Sequence, residues 1–195
     1  MAGPEHFADS PEAAAANLLR AANAGIVGGS IEDYSGTEIY DMGLAVERMV
    51  ACVEAVRTLS FPFTLTARTE NLIRGVDDLD DTIARLQAYE SAGADVLYAP
   101  GLKDLEQIRL VIASTNKPIN LLAPFMPEVS VEELAAVGVQ RISIGSALAN
   151  HAIGATLGAV DQMLEAGDFQ WAMNAAPAKI INQLLGEGLR HGATQ

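Results

Sequence analysis

The amino-acid sequence predicts an α/β protein built on a parallel β-sheet. Short apolar segments alternate with longer segments of helical periodicity, five times over, and one further helix precedes the first strand. The segments between successive strands are long enough for the helical crossovers that parallel strands require. Half of the 195 residues are apolar and only 5% are aromatic. This composition suits Ala- and Leu-rich helices packed on a buried sheet.

The expected elements follow one another without a linker. The first helix is expected to begin near Ser10, because Ser10, Pro11 and Glu12 offer an N-cap, a first-turn proline and an early acid. Gly93 and Gly138 each lie between a helix and a strand, as a C-cap turn requires. We expect helices over residues 13–24, 42–59, 78–92, 103–115 and 131–137, and strands over residues 26–33, 63–68, 95–99, 118–122 and 139–144. Residues 1–195 are expected to form one domain, with a helical C-terminal tail over 160–195.

Charge and cysteine content restrict the class of protein. The net charge is -13, from 25 acidic and 12 basic residues. Nucleic acids and anionic membrane surfaces attract basic chains, so neither is expected as a partner. Cys52 is the only cysteine, which excludes an intrachain disulfide and favours the cytoplasm. No apolar run approaches the roughly 20 residues of a spanning helix, and residues 1–11 lack a signal-peptide pattern.

The sequence is compatible with two arrangements of the parallel sheet. One is an open doubly wound sheet, in which an acid pair after the first strand would resemble the pocket of a receiver-type domain. The other is a barrel, which needs eight strands and typically about 250 residues. On that alternative the chain supplies about five of the βα units.

Candidate functional residues follow the carboxyl ends of the strands, where active sites lie in both architectures. Glu32 and Asp33 end the first strand and offer the hard oxygen ligands that Mg²⁺ prefers, or are solvated loop acids. Arg68 ends the second strand and can hold a carboxylate with two hydrogen bonds, or form a structural ion pair with Glu70 or Glu32. No histidine cluster, strand-end lysine or G-x-S-x-G motif points to another chemistry.

Four segments resemble the isocitrate lyase / phosphoenolpyruvate mutase superfamily. They cover residues 28–33, 65–70, 93–101 and 140–148. The resemblance implies a TIM-type (β/α)8 barrel, of which this chain would supply the C-terminal units. It also implies Mg²⁺ and an enolate-type intermediate of a small keto or hydroxy carboxylic acid, formed by a lyase, decarboxylase or phosphonomutase. Members of the superfamily are oligomers with exchanged C-terminal helices, so a homodimer or homotetramer is expected.

The resemblance also assigns roles to individual residues. Arg68 corresponds to the residue that binds the substrate's anionic group, and Glu32 to one that holds the metal through water. Asp33 becomes a second candidate metal ligand. Glu70 and Asn71 become candidate substrate-binding residues.

Three departures separate the chain from the family pattern. Residues 7–12 fit the end of an aspartate-rich metal-binding segment, but its earlier positions fall on Ala2, Pro4 and His6, so the chain is expected to begin inside the barrel. Residues 34–41 lack the catalytic cysteine of the lyases, although Tyr34 or Tyr40 could donate a proton there. Pro100 stands where lyases have glutamate and the mutase has histidine. A non-catalytic remnant or assembly partner of such a barrel is therefore the alternative function.

Overall fold

A five-stranded parallel sheet organises the first part of the chain. The computed structural model describes the backbone of residues 8–192 and the side chains of residues 8–186. The strands pair in chain order, each with its sequence neighbour, and all four pairings are parallel. This arrangement confirms the predicted α/β class. The strands are β1 (Gly28–Glu32), β2 (Thr64–Arg68), β3 (Val96–Tyr98), β4 (Ile119–Leu122) and β5 (Arg141–Ser143).

Helices follow the strands at the predicted places. Side-chain caps begin the first five helices: an oxygen of Ser10, Asp41, Asp78, Asp104 or Ser130 accepts a hydrogen bond from a backbone N–H three residues later. Observed strands are shorter than expected, because ladder hydrogen bonds stop before the apolar segments do. The helices are α1 (Pro11–Asn23), α2 (Met42–Val56), α3 (Leu79–Ala92), α4 (Leu105–Ala113), α5 (Val131–Ala136), α6 (Ala147–Asp161) and α7 (Ala178–Gly192).

The chain divides into two compact units. The first extends to Gly145 and holds the sheet with α1 to α5. The second begins at Ser146 and holds α6, a π-helical turn over Gln162–Ala166, a 3-10 helix over Gln170–Asn174, and α7. The expectation of one domain with a tail from residue 160 stays a prediction. Among residues 8–192, no helix combines the length and apolar character that a membrane crossing requires.

The two faces of the sheet differ in polarity. Successive side chains of a strand point to opposite faces. One set of alternate positions is apolar and joins α1 to α5 in a single buried core. At Gly29 in this set, an added Cβ would lie 3.2 Å from Leu18 of α1, so the small residue lets the helix approach the strand. The strand residues of this core are Ile31, Leu65, Ala67, Leu97, Ile119 and Leu121.

Candidate active site

Polar side chains form a continuous row across the opposite face of the sheet. The strand register places one residue of each strand beside the next, from β1 to β5. Because neighbouring strands are about 4.8 Å apart, adjacent side chains in this row are within contact range. We call this set the polar row. Its members are Glu32, Arg68, Tyr98, Asn120 and Arg141.

Arg68 has charged and aromatic neighbours in and beside the polar row. Its Nε donates a hydrogen bond to Glu70, lies 3.7 Å from a carboxylate oxygen of Glu32, and its guanidinium carbon lies 5.2 Å from the centre of the Tyr98 ring. The structure therefore brings the predicted residues Arg68, Glu32 and Glu70 together. It also contains the ion pair that the sequence left open as the structural alternative.

Glu70 holds two arginines from a fully buried position. One carboxylate oxygen accepts from Arg68, and the other accepts from Nε of Arg74 at 2.8 Å. The backbone N–H of Glu70 donates to Asp33 at 2.7 Å. Hydrogen bonds of this kind with charged groups hold side chains more strongly than neutral ones. Glu70 thus orients Arg68, and this role differs from the substrate contact that the sequence predicted, which stays a prediction.

Asp33 points to the face opposite the polar row. Its carboxylate accepts hydrogen bonds from the backbone of Glu70, from Arg85 at 3.0 Å and from the Tyr89 hydroxyl at 2.6 Å. Arg85 and Tyr89 belong to α3, on the helical side of the sheet. The carboxylate of Asp33 also raises the pKa of Tyr89, after the larger effect of burial. These contacts give Asp33 a structural role between the strand end and α3, and its predicted role as a metal ligand stays a prediction.

Asn71 anchors the loop after β2. Its side-chain oxygen accepts from Thr69, and its amide nitrogen donates to Asp81 at 2.5 Å. Asp81 also accepts from Nε of Arg85 at 2.8 Å. Asn71 is buried. Its contacts therefore connect the strand end to α3, and its predicted contact with substrate stays a prediction.

The described residues offer one carboxylate of the polar row, that of Glu32, to the predicted magnesium site. Among the side chains of residues 8–186, no group of three or more His, Cys, Asp or Glu residues converges as metal ligands would. Glu32 is the acid of the polar row, while Asp33 faces the helices and Glu70 is held by two arginines. A Mg²⁺ ion usually takes one or two carboxylates plus water and substrate oxygens. The earlier positions of the aspartate-rich segment, at Ala2, Pro4 and His6, lie outside the described residues.

The two tyrosines of the β1–α2 loop have defined partners. The Tyr40 hydroxyl donates to Asp9 at 2.5 Å, and burial, together with this contact, raises the pKa of Tyr40 to about 12. The Arg48 guanidinium lies 4.4 Å from the centre of the Tyr40 ring. Tyr34 packs under Arg74, at 3.9 Å from ring centre to guanidinium carbon. Tyr34 therefore lies beside Arg74, one of the two arginines that Glu70 holds, whereas the Tyr40 hydroxyl is directed towards Asp9.

Sequence reasoning missed three members of the polar row. Tyr98, Asn120 and Arg141 were not among the candidate residues, because the candidates were the residues that follow the strand ends. A signal was present, since Asn120 is the polar residue of an otherwise apolar strand and Arg141 alternates with the apolar Ile142. Strand periodicity places such residues on the face away from the apolar core.

Comparison with known proteins identifies the class. Residues 5–164 match the family described as phosphoenolpyruvate phosphomutase. A candidate lyase/mutase from Burkholderia cenocepacia J2315 shares 48% identity and superposes with a TM-score of 0.88, over 93% of this chain and 66% of that protein. Oxaloacetate decarboxylase from Rhodopseudomonas palustris HaA2 is 33% identical over 150 residues, which are 73% of this chain and 50% of that enzyme.

The chain belongs to the phosphoenolpyruvate phosphomutase family, which confirms the resemblance in the sequence. Its sheet and helices supply five βα units of the TIM-type barrel that the family shares. A phosphonopyruvate hydrolase solved with oxalate and Mg²⁺ has the same fold, with a TM-score of 0.73 and 22% identity over 91% of this chain and 66% of that protein. The chain spans about half the length of the curated relatives that it matches.

Proposed function

We propose that this chain carries the anion-binding part of an enzyme that acts on a small keto or hydroxy carboxylic acid. The reaction is a lyase, decarboxylase or mutase step through an enolate-type intermediate. One observation carries the proposal: Arg68 is oriented by buried Glu70 on the polar face of the sheet, beside Glu32 and at the carboxyl edge. Active sites of barrel enzymes lie at this edge.

Arg68 supplies the recognition of the substrate anion. Glu70 holds the guanidinium through Nε, which fixes the plane in which the two Nη groups lie. A planar guanidinium matches a carboxylate with two parallel hydrogen bonds. The Tyr98 ring lies against the guanidinium and limits its movement. Arg68 is thus prepared for an anion before the anion arrives, which reduces the entropy lost on binding.

Glu32 places a carboxylate, a possible proton acceptor, beside the proposed anion site. Its side chain is buried, and its backbone carbonyl accepts from Arg48 at 2.7 Å, so the strand end is held in place. A carboxylate here can accept a proton from a hydroxyl or hydrated group of the substrate. Glu32 is also the residue of the polar row that could hold Mg²⁺, because it is the acid of that row. Whether Mg²⁺ binds is part of the test below.

Isothermal titration calorimetry with oxalate, with and without Mg²⁺, tests the proposal on the full chain. Oxalate imitates the planar enolate of a keto acid, and the related fold of phosphonopyruvate hydrolase has been solved with it. Arg68→Lys keeps the charge beside Glu70 but loses the two-pronged contact. We expect this variant to bind oxalate about 10- to 100-fold more weakly than the wild type, because a charged hydrogen bond contributes about 1.5–3 kcal/mol.

Arg109→Lys is the matched control, because Arg109 is exposed on α4 and away from the polar row. It should bind oxalate as the wild type does. If Arg68→Lys and the wild type bind oxalate equally well, Arg68 is not the anion ligand. If neither the wild type nor the variants bind oxalate, with or without Mg²⁺, the alternative function, a non-catalytic remnant or assembly partner, replaces the proposal.

A further inference from the structure

A cavity outside the polar row opens between two loops at the carboxyl edge of the sheet. Residues 103–106, at the start of α4, and residues 125–129, which lead into α5, line its volume of about 530 Å³. Among the described residues that line it, none belongs to the polar row. Sites for small molecules commonly have volumes of about 300–1,000 Å³ and mostly apolar walls. We call this space the loop cavity, and its volume admits a ligand of its own.

The walls of the loop cavity are apolar and include an exposed aromatic ring. Met126 is buried, and Leu105 and Val129 pack against the hydrophobic core from half-buried positions. Phe125 is 51% exposed, although phenylalanine is among the residue types that are most often buried. Apolar surface that is exposed beside a cavity commonly marks a binding site. The walls therefore offer an apolar ligand a surface to cover.

Carboxylates give the lining of the loop cavity a negative charge. Glu106 and Glu128 are exposed, and among the described residues neither carboxylate has a hydrogen-bond or ion-pair partner. Asp104 adds a third carboxylate, one oxygen of which caps α4. Lys103 is the cation of the lining, but its ammonium group pairs with Asp77 at 3.0 Å. The charge of the lining is therefore negative overall.

Charge and apolar surface together select a cation with an apolar body. The carboxylates attract an ammonium group and repel an anion. The face of an aromatic ring also attracts a cation, because the ring quadrupole is negative there. A neutral molecule can fill the same walls but gains nothing from the carboxylates. An organic amine uses the walls, the ring and the charges at once.

We propose that the loop cavity binds a small organic cation, a primary amine on an aromatic or branched aliphatic body. The ammonium group pairs with Glu106 or Glu128 and contacts the Phe125 ring, while the body packs against Leu105 and Met126. Such a ligand contacts the loops after β3 and β4 together and so holds them in one arrangement. The inference does not depend on the proposed function, because the polar row makes none of these contacts.

NMR titration of the isotope-labelled full chain tests the site with three ligands of similar shape. Phenethylamine is a cation, phenethyl alcohol is its neutral analogue, and hydrocinnamate is an anion of similar size. The wild type should bind the amine about 3- to 30-fold more tightly than the alcohol, as one exposed ion pair and one cation–π contact predict. It should bind the anion more weakly than the alcohol. The largest amide shifts should fall in residues 103–106 and 125–129, and shifts centred elsewhere would overturn the assignment.

Two double variants separate the carboxylates of the cavity from the net charge of the chain. Glu106→Gln with Glu128→Gln should lower the affinity for the amine about 2- to 5-fold, the contribution of an exposed ion pair, and leave alcohol binding unchanged. Glu47→Gln with Glu54→Gln removes two charges from exposed positions of α2 outside the cavity and should bind the amine as the wild type does.

Phe125→Leu keeps an apolar side chain and removes the ring. It should also lower the affinity for the amine about 2- to 5-fold, the contribution of an exposed cation–π contact. Because Phe125 is half exposed, the variant should unfold at the temperature of the wild type. An unchanged affinity for the amine would remove the ring from the site.

The contrary outcomes are separate from those of the proposed function. Equal binding of amine and alcohol by the wild type, or equal losses in the two double variants, would show that the carboxylates do not select a cation. No binding of the amine by the wild type would show that the loop cavity is not a site for it. Each of these failures leaves oxalate binding at Arg68 untouched, and a failure to bind oxalate leaves this inference standing.

Discussion

Glu32 and Asp33 are neighbours in the chain, yet their carboxylates serve opposite faces of the sheet. Glu32 joins Arg68 in the polar row, whereas Asp33 accepts three hydrogen bonds on the helical side. The alternation of a strand separates them, so two acids that are adjacent in the sequence point their carboxylates to opposite faces. The role of Asp33 as a metal ligand, which the sequence suggested, stays a prediction.

Asp33→Asn is expected to destabilise the fold. The substitution removes the charge that faces Arg85 and places an amide N–H against groups that donate. Breaking a buried ion pair of this kind costs about 3–5 kcal/mol. Urea unfolding should therefore show a free energy of unfolding lower by about that amount. Asp77→Asn is the control, because Asp77 pairs with Lys103 at the surface and should change the free energy by less than about 1 kcal/mol.

The buried thiol of Cys52 predicts a loss of stability in alkali. Burial raises the pKa of Cys52 from about 9 to about 11, and Arg48 offsets part of this effect. A raised pKa in the folded state means that the contribution to stability is complete below about pH 9 and is lost as the pH rises towards 11. Urea unfolding at pH 8 to 11 should show a smaller decline for Cys52→Ala than for the wild type. Identical declines would show that Cys52 does not titrate in this window.

At the scale of elements, the loops that follow the strands fix the position of Arg68. The 3-10 turn Leu72–Arg74 carries Arg74 to Glu70, and Glu70 in turn orients Arg68. The turn after β3 passes close to this 3-10 turn at Gly101, where an added Cβ would lie 2.9 Å from the Ile73 backbone nitrogen. The position of Arg68 therefore depends on the packing of two loops as well as on its own strand.

Gly101→Ala and Gly75→Ala test this dependence as a pair. Both glycines have positive φ, +100° and +83°, so alanine costs about 1–2 kcal/mol at either position. Nothing lies within 4 Å of a Cβ at Gly75, whereas at Gly101 the Cβ meets the 3-10 turn. Gly101→Ala should therefore cost about 1–3 kcal/mol more in urea unfolding and also weaken oxalate binding. Equal costs would show that the two loops do not constrain each other.

Most elements of the first unit could be predicted from the sequence, because local signals agree with the tertiary structure. The Ser10 cap, the acids at the start of α3 and the apolar runs of the strands each predict the element that forms. The site was predicted only in part. Arg68 and Glu32 follow from their strand-end positions, but the turning of Arg141 towards Thr66 depends on contacts 75 residues apart in the chain. No local pattern encodes such a contact.

At the scale of the whole molecule, the second unit carries exposed apolar side chains. Ile180, Ile181, Leu184 and Leu185 recur at helical spacing on α7 and are exposed. Apolar stripes of this kind commonly mark contacts between proteins. The expected homodimer or homotetramer stays a prediction, and α7 is the segment through which we propose that a second copy associates.

Leu185→Glu is expected to weaken self-association. A charge in an apolar interface is costly, because it must be desolvated without a partner. Sedimentation velocity should show a dimer or tetramer for the wild type and a shift towards monomer for this variant. Asn182→Glu adds the same charge to the same helix and should not change the mass. A monomeric wild type, or equal effects of both substitutions, would contradict the role of α7.

The most direct test of the central claim, that the polar row binds a small carboxylic anion, is thermal unfolding of the full chain with increasing oxalate, with and without Mg²⁺. A ligand at 100 times its dissociation constant stabilises the native state by about 2.7 kcal/mol. For a chain of this length the midpoint should then rise by about 5–10 °C, and at the same oxalate concentration Arg68→Lys should reduce the rise to about 1–5 °C, as its 10- to 100-fold weaker binding requires. A cooperative transition whose midpoint does not move at any oxalate concentration would contradict the claim.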